Sequence, residues 1–345
     1  MYRLIRPLLF ALPAETSHNL ALGTMSLVSR SEVLCTALEK LCRHPSMHNP
    51  VQVMGLDFPN AIGLAAGLDK HGVAADAFAS LGLGFIEQGT VTPLPQDGNP
   101  RPRMFRLEQD HALINRMGFN SVGLESFASN CSRTRGNHVR GINIGKNAVT
   151  PIERAVDDYL VALRGVYDFA DYVAINISSP NTRNLRDLQS QEALEPLLEA
   201  VATERAHLRD RHGRHVPLVV KVSPDMDSGQ VDDVAGLLRR YEIDGIAATN
   251  TTLSREGLKP DRHTGESGGL SGSPLGPRST QTIEKLYRNL QGEIPIIGVG
   301  GIGDVESAME KRQAGADLVQ LYTGLVYNGP GLIRDIAEAF TENSR

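Results

Sequence analysis

Eight short apolar, β-branched runs recur in this 345-residue chain, and each one ends in a polar or glycine-rich break. They fall at 61–66, 85–91, 141–146, 172–177, 218–222, 245–249, 294–299 and 318–322. Segments of helical period separate most of them, at 73–81, 152–169, 192–211, 229–241, 279–290 and 305–314. Short apolar runs bounded by turn residues read as buried strands, and strands that alternate with helices build βαβ units with a parallel sheet. Eight such units over roughly 290 residues match the count and length of a (β/α)8 TIM barrel, an α/β fold. Two connections exceed ordinary loop length. One, 92–140, carries an expected hairpin at 100–107 and the segment Asn115-Arg-Met-Gly-Phe-Asn120; the other is the Gly-rich 253–276.

The run Tyr172-Val-Ala-Ile-Asn-Ile177 is followed abruptly by Ser-Ser179-Pro-Asn181-Thr182. Such residues make turns wherever they occur, so this stretch alone is consistent with simple loop chemistry. The other strand ends change that balance. They supply Ala65-Ala-Gly-Leu-Asp-Lys70, Gly89-Thr90, Asn143-Ile-Gly-Lys-Asn147, Lys221, Thr249-Asn-Thr251, Gly298-Val-Gly-Gly-Ile-Gly303 and Tyr322-Thr-Gly324. In a barrel these residues share the carboxyl rim, where chemistry is done, and long loops there form site walls or lids. The stretch 298–303 fits GxGxxG, but the following strand ends in Tyr322-Thr323 with no acidic residue and too little chain remains for a Rossmann domain. In a barrel the same glycines let backbone N–H groups approach a phosphate after strands 7 and 8. Lys221 can be a paired rim lysine or a Schiff-base nucleophile.

Residues 1–50 form a separate unit, before a catalytic unit expected over 51–345. Leu4, Ile5, Leu8, Leu9, Leu34, Leu38 and Leu41 recur at helical spacing among Arg3, Arg6, Lys40 and Arg43, and Thr16 and Ser17 are candidate caps between the first two helices. The residues alone fit either a packing extension or an amphipathic pair resting on a membrane surface, with packing the simpler reading. The start has no small-residue cleavage site, and the apolar run 7–12 is too short for a signal-peptide core. No stretch approaches the roughly 18 apolar residues of a membrane span. The net charge of -5 offers no nucleic-acid footprint. Three cysteines without a CxxC pair point to a reducing compartment and no disulfide framework or metal cluster. His44 and His48 flank prolines in a polar turn and are not expected to hold a metal.

The motifs together resemble dihydroorotate dehydrogenases of class 2, the flavin enzymes of pyrimidine synthesis that pass electrons to membrane quinones. The matching segments are Gly63–Lys70, Asn115–Phe119, Asn143–Asn147, Asn176–Thr182, Thr249–Thr252, Gly268–Gly272 and Gly298–Gly301, in family order, and the helical leader matches that class as well. The resemblance implies FMN contacts at Ala65, Ala66, Gly67, Leu68, Asp69, Thr90, Asn143, Asn176, Lys221, Thr249, Gly272, Gly301, Tyr322 and Thr323. It implies substrate contacts at Lys70, Asn115, Arg116, Met117, Gly118, Phe119, Asn176, Asn181, Asn250 and Thr251, and Ser179 as the catalytic base. His18, Arg103 and Tyr322 fall where relatives line the quinone entrance. Ser121 and Thr323 depart from common family choices but stay polar.

The chemistry fits these residue types. The implied reaction takes a proton from C5 of dihydroorotate and a hydride from C6 to flavin N5. Asn side chains offer donor and acceptor together to a planar amide ring, and Lys70 can meet the substrate carboxylate or polarise a carbonyl. Lys221 can stabilise negative charge at the flavin N1–C2 edge. A serine has no low-pKa form, so Ser179 needs a relay, and Thr182 is placed to hold an ordered water. Soluble relatives carry Cys where Ser179 stands; this and the leader select the quinone-linked class. The implied protein is a monomer, peripheral on the cytoplasmic side of the cell membrane, and its leader admits the quinone.

Overall fold

The computed structural model describes residues 2–136 and 138–342. Three helices lead: α1 (Tyr2–Phe10), α2 (Ala14–Ser29) and α3 (Glu32–Cys42). The hairpin β1 (Val51–Val53) and β2 (Leu56–Phe58) follows, then barrel strands β3 (Ile62–Leu64) and β4 (Phe85–Val91). A second hairpin, β5 (Met104–Leu107) and β6 (Ala112–Asn115), leaves the barrel before β7 (Val139–Ile144), β8 (Tyr172–Asn176), β9 (Leu218–Val222) and β10 (Gly245–Ala248). A third excursion strand, β11 (Gly269–Gly272), precedes the last barrel strands β12 (Ile296–Val299) and β13 (Leu318–Leu321). Strands β3, β4, β7, β8, β9, β10, β12 and β13 pair in parallel and close, β13 returning to β3. This is the eight-stranded barrel that the sequence pattern predicts.

The wall helices are α4 (Ala75–Ala79), α5 (Gly123–Cys131), α6 (Ala155–Val166), α7 (Gln191–His212), α8 (Ser228–Arg240), α9 (Gly276–Leu290), α10 (Val305–Gln313), α11 (Thr323–Asn328) and α12 (Gly331–Glu342). Asp227 and Asp304 start α8 and α10 with capping boxes, each satisfying the N-cap and N3 amides. Every residue of β4, β8 and β9 is buried, as expected for parallel strands covered on both faces.

Two expectations shift. The hairpin expected at 100–107 runs from Met104 to Asn115 instead, and β11 pairs with β6 to complete a three-stranded sheet over the rim. Pro100 and Pro102 cannot donate ladder hydrogen bonds, which delays the first strand to Met104. Thr16 and Ser17 do not cap α2: the helix starts earlier, after Pro13, and Ser17 Oγ donates back to the carbonyls of Leu9 and Pro13.

Candidate active site

The strand register brings the rim residues together. Asn176 on β8 stands level with Lys221 on β9, and Lys221 with Ala247 on β10. Thr90 Oγ1 donates to Asn143 Oδ1 at 2.6 Å, and Asn176 Nδ2 donates to the same oxygen at 3.0 Å. Asn250 Nδ2 donates onward to Asn176 Oδ1 at 3.2 Å and Ser178 Oγ at 3.0 Å. A chain of buried amides therefore crosses the rim from β4 to β10. Asn181 Nδ2 bonds Asn115 Oδ1 at 3.0 Å and closes the circuit onto the end of β6.

Beneath this circuit lies a charged layer. Glu87, fully buried on β4, accepts from Lys221 Nζ at 3.3 Å, Asn143 Nδ2 at 2.8 Å, Tyr172 Oη at 3.0 Å and Gln320 Nε2 at 2.6 Å. A buried carboxylate is tolerable only with such a full set of partners. Burial, reinforced by Glu87, holds the Tyr172 phenol well above its ordinary range, so it donates as a neutral hydroxyl. Sequence reasoning passed over Glu87 and Gln320. The signal was there, in a Glu-Gln pair within the otherwise apolar 85–91 run and a Gln within 318–322.

One rim cavity is lined by Ala65, Ala66, Gly67, Lys70, Thr90, Asn115, Met117, Gly118, Phe119, Asn176, Ser179, Asn181, Lys221, Thr249, Asn250, Thr251, Gly272, Gly301, Tyr322 and Thr323, all singled out from sequence. It also takes in Ser271, Val299, Gly300, Ile302 and Gly324, which belong to the sequence motifs but had no role of their own, and Leu275 and Gln320, which lie outside them. Asp69 and Asn143 lie just behind the lining. Asp69 accepts from the amides of Val73 and Ala74 and from Gln88, and so shapes the turn that carries Lys70. Arg116 points away from the cavity, pairing with Glu266 at 2.7 Å and stacking on Phe105. At the floor, Gly300 and Gly301 have φ of +111° and +78°, and a Cβ on Gly301 would stand 2.1 Å from Gly276 Cα. Only glycine permits that backbone approach.

Ser179 is buried at the cavity wall, its Oγ accepting from the Asn181 amide at 3.3 Å. Thr182 Oγ1, Asn181 Oδ1 and Gln320 Oε1 are buried without a protein hydrogen-bond partner. Lys70 Nζ donates to the Gly67 carbonyl at 2.6 Å. Burial, then the charge of Arg103, push its pKa down to about 8 against the opposing pull of Glu15 and Asp69.

A second cavity of about 670 Å³ opens between the leader and the barrel. Leu9, Phe10, Leu22, Met25, Leu38, Met104, Leu113, Leu325 and Val326 make it predominantly apolar, with His18 and Arg106 among its few polar walls. Burial, Lys70 and His71 push His18 down to about 3, so its ring is neutral. Tyr322 lines both cavities, its hydroxyl bonding the Gly67 carbonyl at 3.3 Å, while Leu68 faces the apolar side. Arg103 does not line it; it is paired with Glu15 of α2 at 2.9 Å.

A closed parallel barrel with a lysine-and-amide pocket on its carboxyl rim, and an apolar chamber behind it, defines a barrel enzyme with one site for a small polar ligand and a second for an apolar one. The profile of the dihydroorotate dehydrogenase family matches residues 49–343, and the chain belongs to that family. A relative from Chromobacterium violaceum, named dihydroorotate dehydrogenase (quinone), is 54% identical over 339 residues, covering 98% of this chain and 97% of its own. One of the same name from Leptothrix cholodnii is 53% identical, covering 98% of each. A solved structure described as DHODH in complex with ferulenol, from Eimeria tenella, superimposes with a TM-score of 0.81 at 37% identity, covering 87% of this chain and 85% of that one.

Proposed function

We propose that this chain oxidises dihydroorotate to orotate in pyrimidine synthesis, with FMN in the rim cavity and a quinone in the apolar cavity. One observation carries the reading: two chemically opposite cavities share a single side-chain wall, Tyr322. A two-electron carrier lying between them is within reach of both a polar donor and an apolar acceptor.

The residues suit FMN. Lys221, Thr90, Asn176 and the unpartnered Gln320 Oε1 offer ring contacts, and the cradle at Gly272, Gly300 and Gly301 exposes backbone where a phosphate could seat. Bound there, FMN would supply the hydride acceptor. The chain's residues do the remaining work. Asn115, Asn181, Asn250 and Thr251 orient the substrate's amides, and Lys70 meets its carboxylate. Ser179 Oγ takes the C5 proton, and the free Thr182 Oγ1 three residues on is available to pass it outward. Lys221, fixed by Glu87, places positive charge where negative charge gathers. A Schiff-base lyase at Lys221 fits less well, because that chemistry requires an unpaired amine and Lys221 is tied to a buried carboxylate.

Residues 1–50 act as the quinone-admitting, membrane-resting unit, and 51–345 as the catalytic unit. Among the described residues no helix is long and apolar enough to cross a membrane. Leu4, Leu8, Leu20, Leu27, Val33, Leu34 and Leu41 of the leader are nevertheless exposed. With Arg3 and Arg6 beside them, they suit contact with the anionic cytoplasmic leaflet. A monomer suffices, since one chain encloses both cavities. Adding dihydroorotate to the yellow protein without oxygen should bleach it, and a long-tailed quinone should restore the colour. A flavin that stays oxidised would sink the reading.

A further inference from the structure

Glu15 stands in the first turn of α2, yet its side chain is only 14% exposed and faces the rim loops. Arg103, 6% exposed, donates to Glu15 Oε1 from Nε at 3.1 Å and from Nη2 at 2.9 Å. Its remaining nitrogen, Nη1, donates to the carbonyls of Asp97 at 2.6 Å and Asn99 at 2.9 Å. Arg101 reaches the same carboxylate oxygen from the surface at 3.1 Å. The loop 97–103 is thus folded around one guanidinium whose charge is met by a carboxylate from the leader. Gly98, at φ +79°, lies so close that a Cβ there would stand 2.2 Å from the Met117 carbonyl and 2.9 Å from Arg103 Nη1.

That loop in turn holds the substrate segments. The Asn99 amide donates to the Met117 carbonyl at 3.0 Å, and Asn99 Nδ2 to the carbonyls of Arg116 at 2.9 Å and Asn181 at 3.2 Å. The Arg116 amide donates to the Arg103 carbonyl at 2.9 Å. An unbroken path of partly buried polar contacts runs from α2 through Glu15, Arg103 and Asn99 to residues 115–119 and to the loop carrying Ser179.

We propose that Glu15 is a positioning residue for the dihydroorotate site: through Arg103 it fixes loop 97–103, so that the seating of the leader on the barrel sets substrate affinity. This rests on the assignment of the rim cavity to dihydroorotate. If α2 lifts, Arg103 is left as a buried charge without its partner, which is costly enough to drag the Asp97 and Asn99 carbonyls out of place. Coupling of this kind is reciprocal, so a substrate or product that orders residues 115–119 must also hold the leader down. Electrostatics runs the same way. Lys70 is faced by Arg103, Glu15, Asp69, His71, His18 and Tyr322, and losing the Glu15 charge leaves Arg103 to disfavour the Lys70 ammonium.

The test uses the full-length FMN-loaded protein, Glu15→Gln, Arg103→Lys and, as control, Asn19→Ser on the exposed face of α2. Orotate affinity is read from the perturbation of the flavin absorbance, and leader docking from protease cleavage within α1–α3. Glu15→Gln should weaken orotate roughly 5- to 150-fold, the usual span of inter-site coupling, while the control binds normally. Arg103→Lys keeps the charge but not the fork, and should weaken orotate in the same direction. Saturating orotate should slow leader cleavage in the wild type and lose that effect in Glu15→Gln. The alkaline limb of kcat/KM for dihydroorotate should move to lower pH in Glu15→Gln, which loss of packing alone would not produce. Unchanged orotate affinity in both variants, or leader cleavage indifferent to orotate, overturns the coupling. A wild-type protein that neither binds orotate nor bleaches overturns the site assignment instead.

Discussion

The rim cavity and the apolar cavity meet at Tyr322 but are built by different means. The rim is walled by strand ends whose side chains are locked by mutual hydrogen bonds, Thr90 to Asn143 to Asn176 to Asn250, over the Glu87–Lys221 pair. The apolar chamber is walled largely by three helices with no fully buried residue, tied to the barrel at separated points. Arg6 reaches the Tyr327 carbonyl at 3.1 Å, Arg106 the Phe10 carbonyl at 2.7 Å, and Ser29 accepts from the Ala77 amide at 2.9 Å. A polar substrate needs atoms in fixed places, and a buried network provides them. A long apolar acceptor needs a route and a shape, which loosely docked helices provide.

The sharpest way to break this contrast is at Ser179. Replacing it with alanine removes a proton acceptor from the rim and nothing from the chamber. Flavin reduction by dihydroorotate should slow by roughly 10²–10⁴, with FMN content and quinone-driven reoxidation unchanged. Stopped-flow absorbance of each half-reaction checks this, and a wild-type rate of reduction would displace Ser179 from its role.

Next in size is Lys221→Ala, which leaves Glu87 buried without its counter-charge. Breaking a buried pair costs roughly 3–5 kcal/mol, so the protein should melt earlier and purify poor in FMN. The pair Lys221→Met with Glu87→Gln should recover much of the stability and little of the flavin. Recovery of both would mean that Lys221 serves the barrel alone. For the chamber, Met25→Trp adds a ring to the cavity wall from α2. Overfilling usually costs about 1–3 kcal/mol, so the KM for a long-tailed quinone should rise while the rate of reduction at saturating dihydroorotate stays as it was. Equal slowing of both half-reactions would erase the distinction between the cavities.

The same contrast decides what could be read from the chain. The rim was legible because glycine, Asn, Ser and Lys at strand ends break apolar runs, and the family resemblance carried by those motifs named twenty of the cavity's residues. Glu87 was not, since a lone carboxylate inside 85–91 is a tertiary fact: its four partners come from four other strands. The chamber was barely legible, because Leu22, Met25 and Leu38 look the same whether they pack or line a void. Nor did spacing show that Arg103, expected at the quinone entrance, would spend its side chain on Glu15. The sequence reads residues 1–50 as a unit apart from the substrate site; the role proposed for Glu15 would couple the two.

The smallest predicted effect concerns Lys70, which stands between the two regions. It faces the substrate side and bonds the Gly67 carbonyl, while its charge bears on His18 in the chamber. Its pKa is lowered to about 8, chiefly by burial and then by Arg103. The protonated form holds the substrate carboxylate, so it is present below pH 8 and lost as pH rises through that value. The parameter kcat/KM reports the free enzyme, and for dihydroorotate it should fall about tenfold per pH unit above 8. The oxidative half-reaction should lack this limb, because the quinone carries no carboxylate and the His18 ring is already neutral throughout. Lys70→Arg should remove the limb, since a guanidinium keeps its charge, at the cost of a misfitted substrate and a higher KM at every pH. If the limb persists in Lys70→Arg, another group titrates there, and Lys70 belongs to the structure of the turn rather than to substrate recognition.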